Sequence, residues 1–254
     1  MTTVGLLYPG HSAEGDFQRI EIMLDSDIRL PLFHTDTGED TRRVDRLRDM
    51  GAPGRLDAGV EELRLAGAEA LVWACAEGSF VYGWEGAHEQ TAALARAAGL
   101  PASSTSFGFV HAVRELGAGR VAVAATYPED IAGLFTGFLK AGGVDVVAGP
   151  GGGIPAADGP GGEDAELVKR LAVAGDHPDA EVVLFPDTAL HTAAYIPELE
   201  ELLGKPVLTA SQVAVWEGLR LADRRAWSPE LGTLFATRVP PPGTWDQKGI
   251  EVRE

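Results

Sequence analysis

Short apolar runs alternate with longer segments of helical spacing along most of the chain. The runs predict strands over Val4–Tyr8, Ile28–Phe33, Ala70–Cys75, Arg120–Thr126, Val144–Ala148, Glu181–Phe185 and Pro206–Thr209. They are nearly continuous rather than alternating, as in parallel strands covered on both faces. Between them, Leu56–Ala66, Ala87–Ala98, Gly108–Leu116, Ile131–Ala141, Ala165–Ala174, Thr192–Leu203 and Gln212–Ala222 are rich in Ala, Leu and Glu and predict helices. Gly67, Gly99, Gly117 and Gly142 stand where C-caps are wanted. This alternation argues for βαβ units and an α/β fold with doubly wound parallel sheets. The Gly-, Pro- and Ala-rich stretch 149–162 reads as a loop, because its glycines match no phosphate-binding pattern. From Ser228, through Pro240, Pro241 and Pro242, little periodicity remains. That segment is expected to wrap the surface or meet another subunit.

The pattern repeats. Ala68-Glu69-Ala70-Leu71-Val72-Trp73-Ala74-Cys75 is a strand ending on a cysteine, and Ala180-Glu181-Val182-Val183-Leu184-Phe185-Pro186-Asp187 is a strand ending on an aspartate. A helical segment follows each, then a short strand opened by proline, at Pro101-Ala102-Ser103-Ser104 and Pro206-Val207-Leu208-Thr209, and a serine, Ser106 or Ser211. Val4-Gly5-Leu6-Leu7-Tyr8-Pro9 and Val123-Ala124-Ala125-Thr126-Tyr127-Pro128 form a second pair in the same order. Duplication implies two pseudo-symmetric Rossmann-like lobes, expected over residues 1–117 and 118–227, with a tail over 228–254. The chain has room to cross between lobes near 100–117 and 205–225. Open α/β sheets bind ligands at the carboxyl ends of their strands. Cys75 and Asp187 are therefore expected to face each other across one cleft.

Composition narrows the partners. The 254 residues carry 21 Lys and Arg against 38 Asp and Glu, a net charge of −17. Such a surface repels phosphate backbones, so no nucleic-acid partner is expected. An anionic substrate would have to be held by local donors such as the N–H groups of helix starts. A lone cysteine excludes an intramolecular disulfide. The N-terminus lacks the pattern of a signal peptide, and no apolar run reaches the roughly 20 residues that span a bilayer. A cytoplasmic protein with no membrane partner is expected. The histidines show neither HxxxH nor HxH spacing, so no metal site is expected, and no nicotinamide, flavin or nucleotide fingerprint implies a cofactor.

Several motifs carry a resemblance. Ala74-Cys75-Ala76-Glu77-Gly78-Ser79 resembles the first cysteine motif of the aspartate/glutamate racemase superfamily. Asp187-Thr188-Ala189-Leu190-His191-Thr192 resembles its second motif, with aspartate in place of cysteine. Ser103-Ser104-Thr105-Ser106, Arg120–Tyr127 and Gly204–Ser211 leading to Trp216 are similar to the maleate isomerase and arylmalonate decarboxylase branch. The resemblance covers roughly Val4 to Ala222. It implies an active site in the cleft between the lobes, a first-lobe cysteine as nucleophile and a tyrosine at Tyr127 that binds a substrate carboxylate. It also implies a homo-oligomer, dimer or tetramer, and no cofactor. Two departures stand out. The second thiol is absent, and the asparagine typical of maleate isomerases after the first strand is replaced within Gly10-His11-Ser12-Ala13.

The favoured reading is cis–trans isomerisation of a small dicarboxylate. A thiol at a strand end before a helix N-terminus can ionise and add to an activated alkene, with Asp187 as general acid or base. A malonate-type decarboxylase or racemase working by proton transfer between Cys75 and Asp187 is the alternative, and a non-catalytic two-lobed binder is a third. Ser12, Ala76, Glu77, Ser79, Tyr127, Thr188 and His191 are candidates for the substrate pocket, and His11 lies near a strand end. Each has a plainer reading. Cys75 can be a small buried hydrophobe, Asp187 a cap for a helix near Leu190, Glu77 a first-turn carboxylate, Tyr127 a packed aromatic, and His11 and His191 structural.

Overall fold

The computed structural model describes residues 1–37, 43–149 and 165–236. The first sheet holds β1 (Thr2–Pro9), β2 (Ile28–Arg29), β3 (Leu32–Thr35), β4 (Ala70–Trp73) and β5 (Ala102–Ser104). The second holds β6 (Arg120–Val123), β7 (Asp145–Ala148), β8 (Val182–Phe185) and β9 (Val207–Thr209). All pairings are parallel. The first sheet runs β2-β1-β4-β5, with β3 also paired to β1, and the second runs β7-β6-β8-β9. With β2 and β3 counted as one position, the first strand lies between the second and the third and the fourth lies outside the third. The two halves thus share one topology, which is the structural form of the sequence repeat.

Strand composition follows burial. β1, β4 and β8 are buried almost throughout. Gly5 is required inside β1, because a Cβ there would lie 2.6 Å from Leu71 Cδ2. The run expected as one strand over Ile28–Phe33 divides. β2 and β3 both pair with β1, and Leu30 and Pro31 lie between them. Proline has no N–H for the ladder, yet its carbonyl still accepts from Leu6 N at 2.9 Å.

The helices are α1 (Gly15–Met23), α2 (Val44–Met50), α3 (Pro53–Leu56), α4 (Val60–Leu65), α5 (Glu77–Phe80), α6 (Gly83–Ala98), α7 (Thr105–Glu115), α8 (Glu129–Ala141), α9 (Ala165–Gly175), α10 (Ile196–Leu203), α11 (Ala210–Leu221) and α12 (Thr233–Ala236). The expected helix over Leu56–Ala66 is broken, with a 3-10 turn at Asp57–Gly59 before α4. α1 has no clean apolar stripe: its buried residues are Asp16, Phe17 and Ile20, while Ile22 is exposed. Gly67, Gly99 and Gly117 adopt the left-handed conformation of C-caps. After α8 that conformation falls to Gly143, at φ 79°. Gly142 is needed for space, since a Cβ there would stand 2.8 Å from Trp84.

α11 follows β9 in the chain but packs on α7, β4 and β5 of the first sheet. Its glycine Gly218 permits that approach, because a Cβ would lie 2.2 Å from Val4 Cγ1. After Ser228, Leu231, Leu234 and Phe235 are buried against the main core. The three consecutive prolines and nearly all of the loop expected at 149–162 lie outside the described residues. Among the described residues no helix is long and apolar enough to cross a membrane.

Candidate active site

Connections leave the first strand of each sheet in opposite directions, so the switch falls between β1 and β4 and between β6 and β8. A crevice outside the carboxyl ends of such strands is where open α/β sheets bind ligands. Tyr8 is at the end of β1, and Cys75, Tyr127 and Asp187 follow β4, β6 and β8. The structure brings these ends together across the two lobes.

Cys75 lies just past β4, whose ladder ends with Ala74 N donating to Leu7 O at 2.8 Å. Its Sγ accepts from Gly78 N at 3.3 Å and donates to Glu77 Oε2 at 3.4 Å. Thr188 Oγ1 accepts from Ala76 N at 3.2 Å and donates to the same Glu77 oxygen at 3.0 Å. Tyr127 Oη donates to Glu77 Oε1 at 2.7 Å, and Thr188 N donates to it at 3.4 Å. Glu77 is therefore the hub, ringed by donors from the opposite lobe. Tyr8 answers from its own side: its hydroxyl donates to Thr188 O at 3.0 Å and accepts from Ala13 N at 2.9 Å. Tyr8 and Tyr127, paired in the repeat, each reach across to the other lobe.

Asp187 is 8% exposed. Thr126 Oγ1 donates to its Oδ2 at 2.5 Å, and Ala189 N donates to its Oδ1 at 3.1 Å. The second contact is the local turn bond of an aspartate, but no helix starts there. The next element is a 3-10 turn at Ala193–Tyr195 leading into α10. Among the described residues neither carboxylate has a lysine or arginine as a hydrogen-bond partner.

This arrangement disfavours negative charge. Burial, then the neighbouring Glu77, pushes the Cys75 thiol well above its usual range. Burial, then Asp187, raises Glu77, and burial raises Asp187. Burial followed by Glu77 likewise lifts the Tyr127 phenol. The thiolate expected from a helix N-terminus is thus not the resting state: α5 is a single turn, and desolvation outweighs its dipole. Glu77→Gln removes a negative neighbour, so the pH profile of Cys75 alkylation by iodoacetamide should move to lower pH. A profile identical to wild type would contradict this account of the thiol.

The other expected residues divide. Ala76 supplies N–H to Thr188 and its carbonyl accepts from Ser106 Oγ at 2.7 Å. Ser79 is fully buried and its Oγ donates to Ser104 Oγ at 2.9 Å, so it anchors α5 to the start of α7. Ser12 is exposed in the loop after β1. His191 bonds to Asp16, with Nδ1 at 3.2 Å from Oδ1. The cysteine loop has a support that spacing did not indicate. Gln90 Nε2 donates to both Gly51 O and Gly78 O at 2.7 Å, and a Cβ on Gly51 would lie 2.0 Å from Gly78 O. No metal set was expected from the histidine spacing. Yet His11, Glu14 and His34 place their ligating atoms within 4.8 Å of one another, by bringing β3 beside the loop after β1. Glu14 Oε2 lies 2.9 Å from His11 Nδ1 and 3.1 Å from His34 Nε2.

Comparison with known proteins agrees with this architecture. The chain is 31% identical over 148 residues to arylmalonate decarboxylase of Bordetella bronchiseptica, covering 57% of this chain and 62% of that enzyme. It is 27% identical over 220 residues to maleate isomerase of Geobacillus stearothermophilus, covering 82% of each. A crystal structure of arylmalonate decarboxylase superposes with TM-score 0.72 at 25% identity, over 92% of this chain and 98% of that one. A Nocardia farcinica maleate cis-trans isomerase with a covalently bound succinylcysteine intermediate superposes with TM-score 0.77 at 21% identity, over 94% of this chain and 99% of that one. The arylmalonate decarboxylase family matches residues 52–235. With more than half its length inside that match, the chain belongs to the arylmalonate decarboxylase family, within the aspartate/glutamate racemase-like superfamily its motifs resemble.

Proposed function

We propose that this protein is a cofactor-independent isomerase of a small unsaturated carboxylic acid, similar to maleate cis–trans isomerase, with Cys75 as nucleophile. The observation that carries this reading is the Cys75 thiol at the first-lobe strand end, with Gly78 N–H on its sulfur and Glu77 Oε2 placed to take its proton. The sulfur adds to one alkene carbon as Glu77 accepts the thiol proton, and the electron pair of the π bond moves to the other alkene carbon and into the carbonyl group attached to it. The former double bond is now single and rotates. Reversal expels the sulfur, restores the double bond in the trans geometry and returns the proton to Cys75. A sulfur–carbon adduct of this kind has its counterpart in the succinylcysteine of the Nocardia farcinica enzyme.

Asp187 supports a second reading. It stands where the repeat pairs it with Cys75, and its raised pKa suits a proton donor. Proton transfer by the two groups would serve a malonate-type decarboxylation or a racemisation. Proton NMR in heavy water distinguishes the readings. Conversion of maleate or its half-amide, maleamate, to the trans isomer supports the isomerase. If both persist while a substituted malonate releases carbon dioxide or an amino acid takes up deuterium, proton transfer is the chemistry and the isomerase reading fails. The protein is proposed to act in the cytoplasm as a homo-oligomer, which light scattering of the purified chain tests.

A further inference from the structure

The donors beside the thiol already hold a carboxylate, and it belongs to the chain. Tyr127 Oη, Thr188 Oγ1 and Thr188 N all point at Glu77, whose Oε2 lies 3.4 Å from Cys75 Sγ. Thr188 Oγ1 already accepts from Ala76 N, so its own proton is free to go to Glu77. The ring of donors therefore matches an ionised carboxyl group, an acceptor at both oxygens.

A substrate carbon poised to receive the sulfur stands roughly 3–3.5 Å from it. A carboxylate on that carbon would fall against the Glu77 oxygens, since Oε2 lies 3.4 Å from the sulfur. It would meet the ionised Glu77, which has no cation among its hydrogen-bond partners within the described residues. Like charges at such range in a buried site are strongly unfavourable. The relatives named above as maleate isomerases are named for a substrate with two carboxylates.

We infer that Glu77 occupies the donors that would otherwise hold a substrate carboxylate beside Cys75, and so selects a substrate whose end at the thiol is a neutral hydrogen-bond donor, such as a primary amide. The amide N–H groups of that substrate donate to the carboxylate oxygens of Glu77. Glu77 is then a specificity-determining residue that narrows the dicarboxylate expectation to a monoacid. The inference takes its chemical setting from the isomerase reading, but its test needs only binding.

Succinate and succinamate are saturated, cannot add the thiol, and differ only in one carboxylate against one primary amide. Calorimetric titration of the untagged protein with each should show succinamate binding about 100-fold tighter than succinate, which corresponds to about 2.7 kcal/mol against the opposed like charges. Glu77→Ser should empty the donor ring and reverse the preference. Glu77→Gln keeps the volume but not the charge, and should bring the two Kd values within about tenfold. The ratio of the two Kd values is the readout, because a variant with merely loosened structure weakens both probes together. Equal or tighter binding of succinate by wild type overturns the inference. So does a ratio unchanged in both variants, or no binding of either probe to wild type at millimolar concentration. Failure of the isomerase reading shows separately, as maleate and maleamate that persist in NMR while the Kd ratio still shifts as expected.

Discussion

Cys75→Ala should lower cis–trans conversion by at least about 10³-fold, because the nucleophile is the one group for which the site holds no substitute. The flanking groups are carboxylates and phenols, which do not form the reversible carbon–sulfur bond that frees rotation. The same replacement should leave the fold intact. Cys75 is 1% exposed and contributes one sulfur to the core, so its loss costs about 1–2 kcal/mol through a small cavity and an unpaired Gly78 N–H. The two measurements are the rate of trans-product formation by NMR and the urea midpoint of the same preparation. Retained conversion in a folded Cys75→Ala protein would transfer the chemistry to Glu77 and Asp187 and end the thiol mechanism. The pH dependence has a definite sign. A thiol raised by burial and a negative neighbour does not ionise by itself at neutral pH, so Glu77 must be ionised to take its proton. Conversion should therefore fall as pH drops through the raised pKa of Glu77. At higher pH it should hold while the thiol stays protonated.

Why some of this was legible in the sequence and some was not follows from the range of each interaction. β1 from Val4, β4, β6 after Arg120, and β8 are apolar because they are covered on both faces, and that pattern is local. The equivalence of Cys75 and Asp187 is carried by repeat order, and its physical counterpart is the matching strand order of the two sheets once β2 and β3 are counted as one position. α1 was hidden because an aspartate occupies its buried face. Glu77 reads both as a pocket candidate and as an ordinary first-turn carboxylate until the second lobe is folded against it. Its ring of donors comes from Tyr127 and Thr188, far along the chain. Tyr8 could have been found. The pairing of Tyr8-Pro9 with Tyr127-Pro128 was visible, and the role considered for one tyrosine suggests a cross-lobe role for the other. His34 beside His11 and Glu14 could not be found from spacing, since their proximity depends on the pairing of β3 with β1.

Asp16→Ala should destabilise the protein by about 3–5 kcal/mol, the range for removing one member of a buried charged network. Asp16 lies in the first turn of α1 and is 2% exposed. Its Oδ2 accepts from Thr192 N at 2.8 Å, Ala193 N at 3.0 Å and Ser211 Oγ at 3.0 Å. Its Oδ1 lies 3.2 Å from His191 Nδ1. One side chain thus ties the first lobe to the loop after β8 and to the start of α11. Alanine leaves two buried backbone N–H groups and a serine hydroxyl without an acceptor, and such orphaned donors are what make a truncation costly. Asn keeps one carbonyl oxygen but turns an NH₂ group toward other donors, so Asp16→Asn should recover only part of the loss. The loop held by Asp16 also carries Thr188, which reaches Glu77 and Ala76. Hydrogen exchange at Thr192 and Ala193 should accelerate in Asp16→Ala more than exchange within β6 and β8. Conversion should fall even at temperatures where the variant remains folded, because the donor ring around Glu77 loses its fixed position. Urea unfolding within about 1 kcal/mol of wild type, with unchanged exchange at those two amides, would show that the cross-lobe tie is held elsewhere.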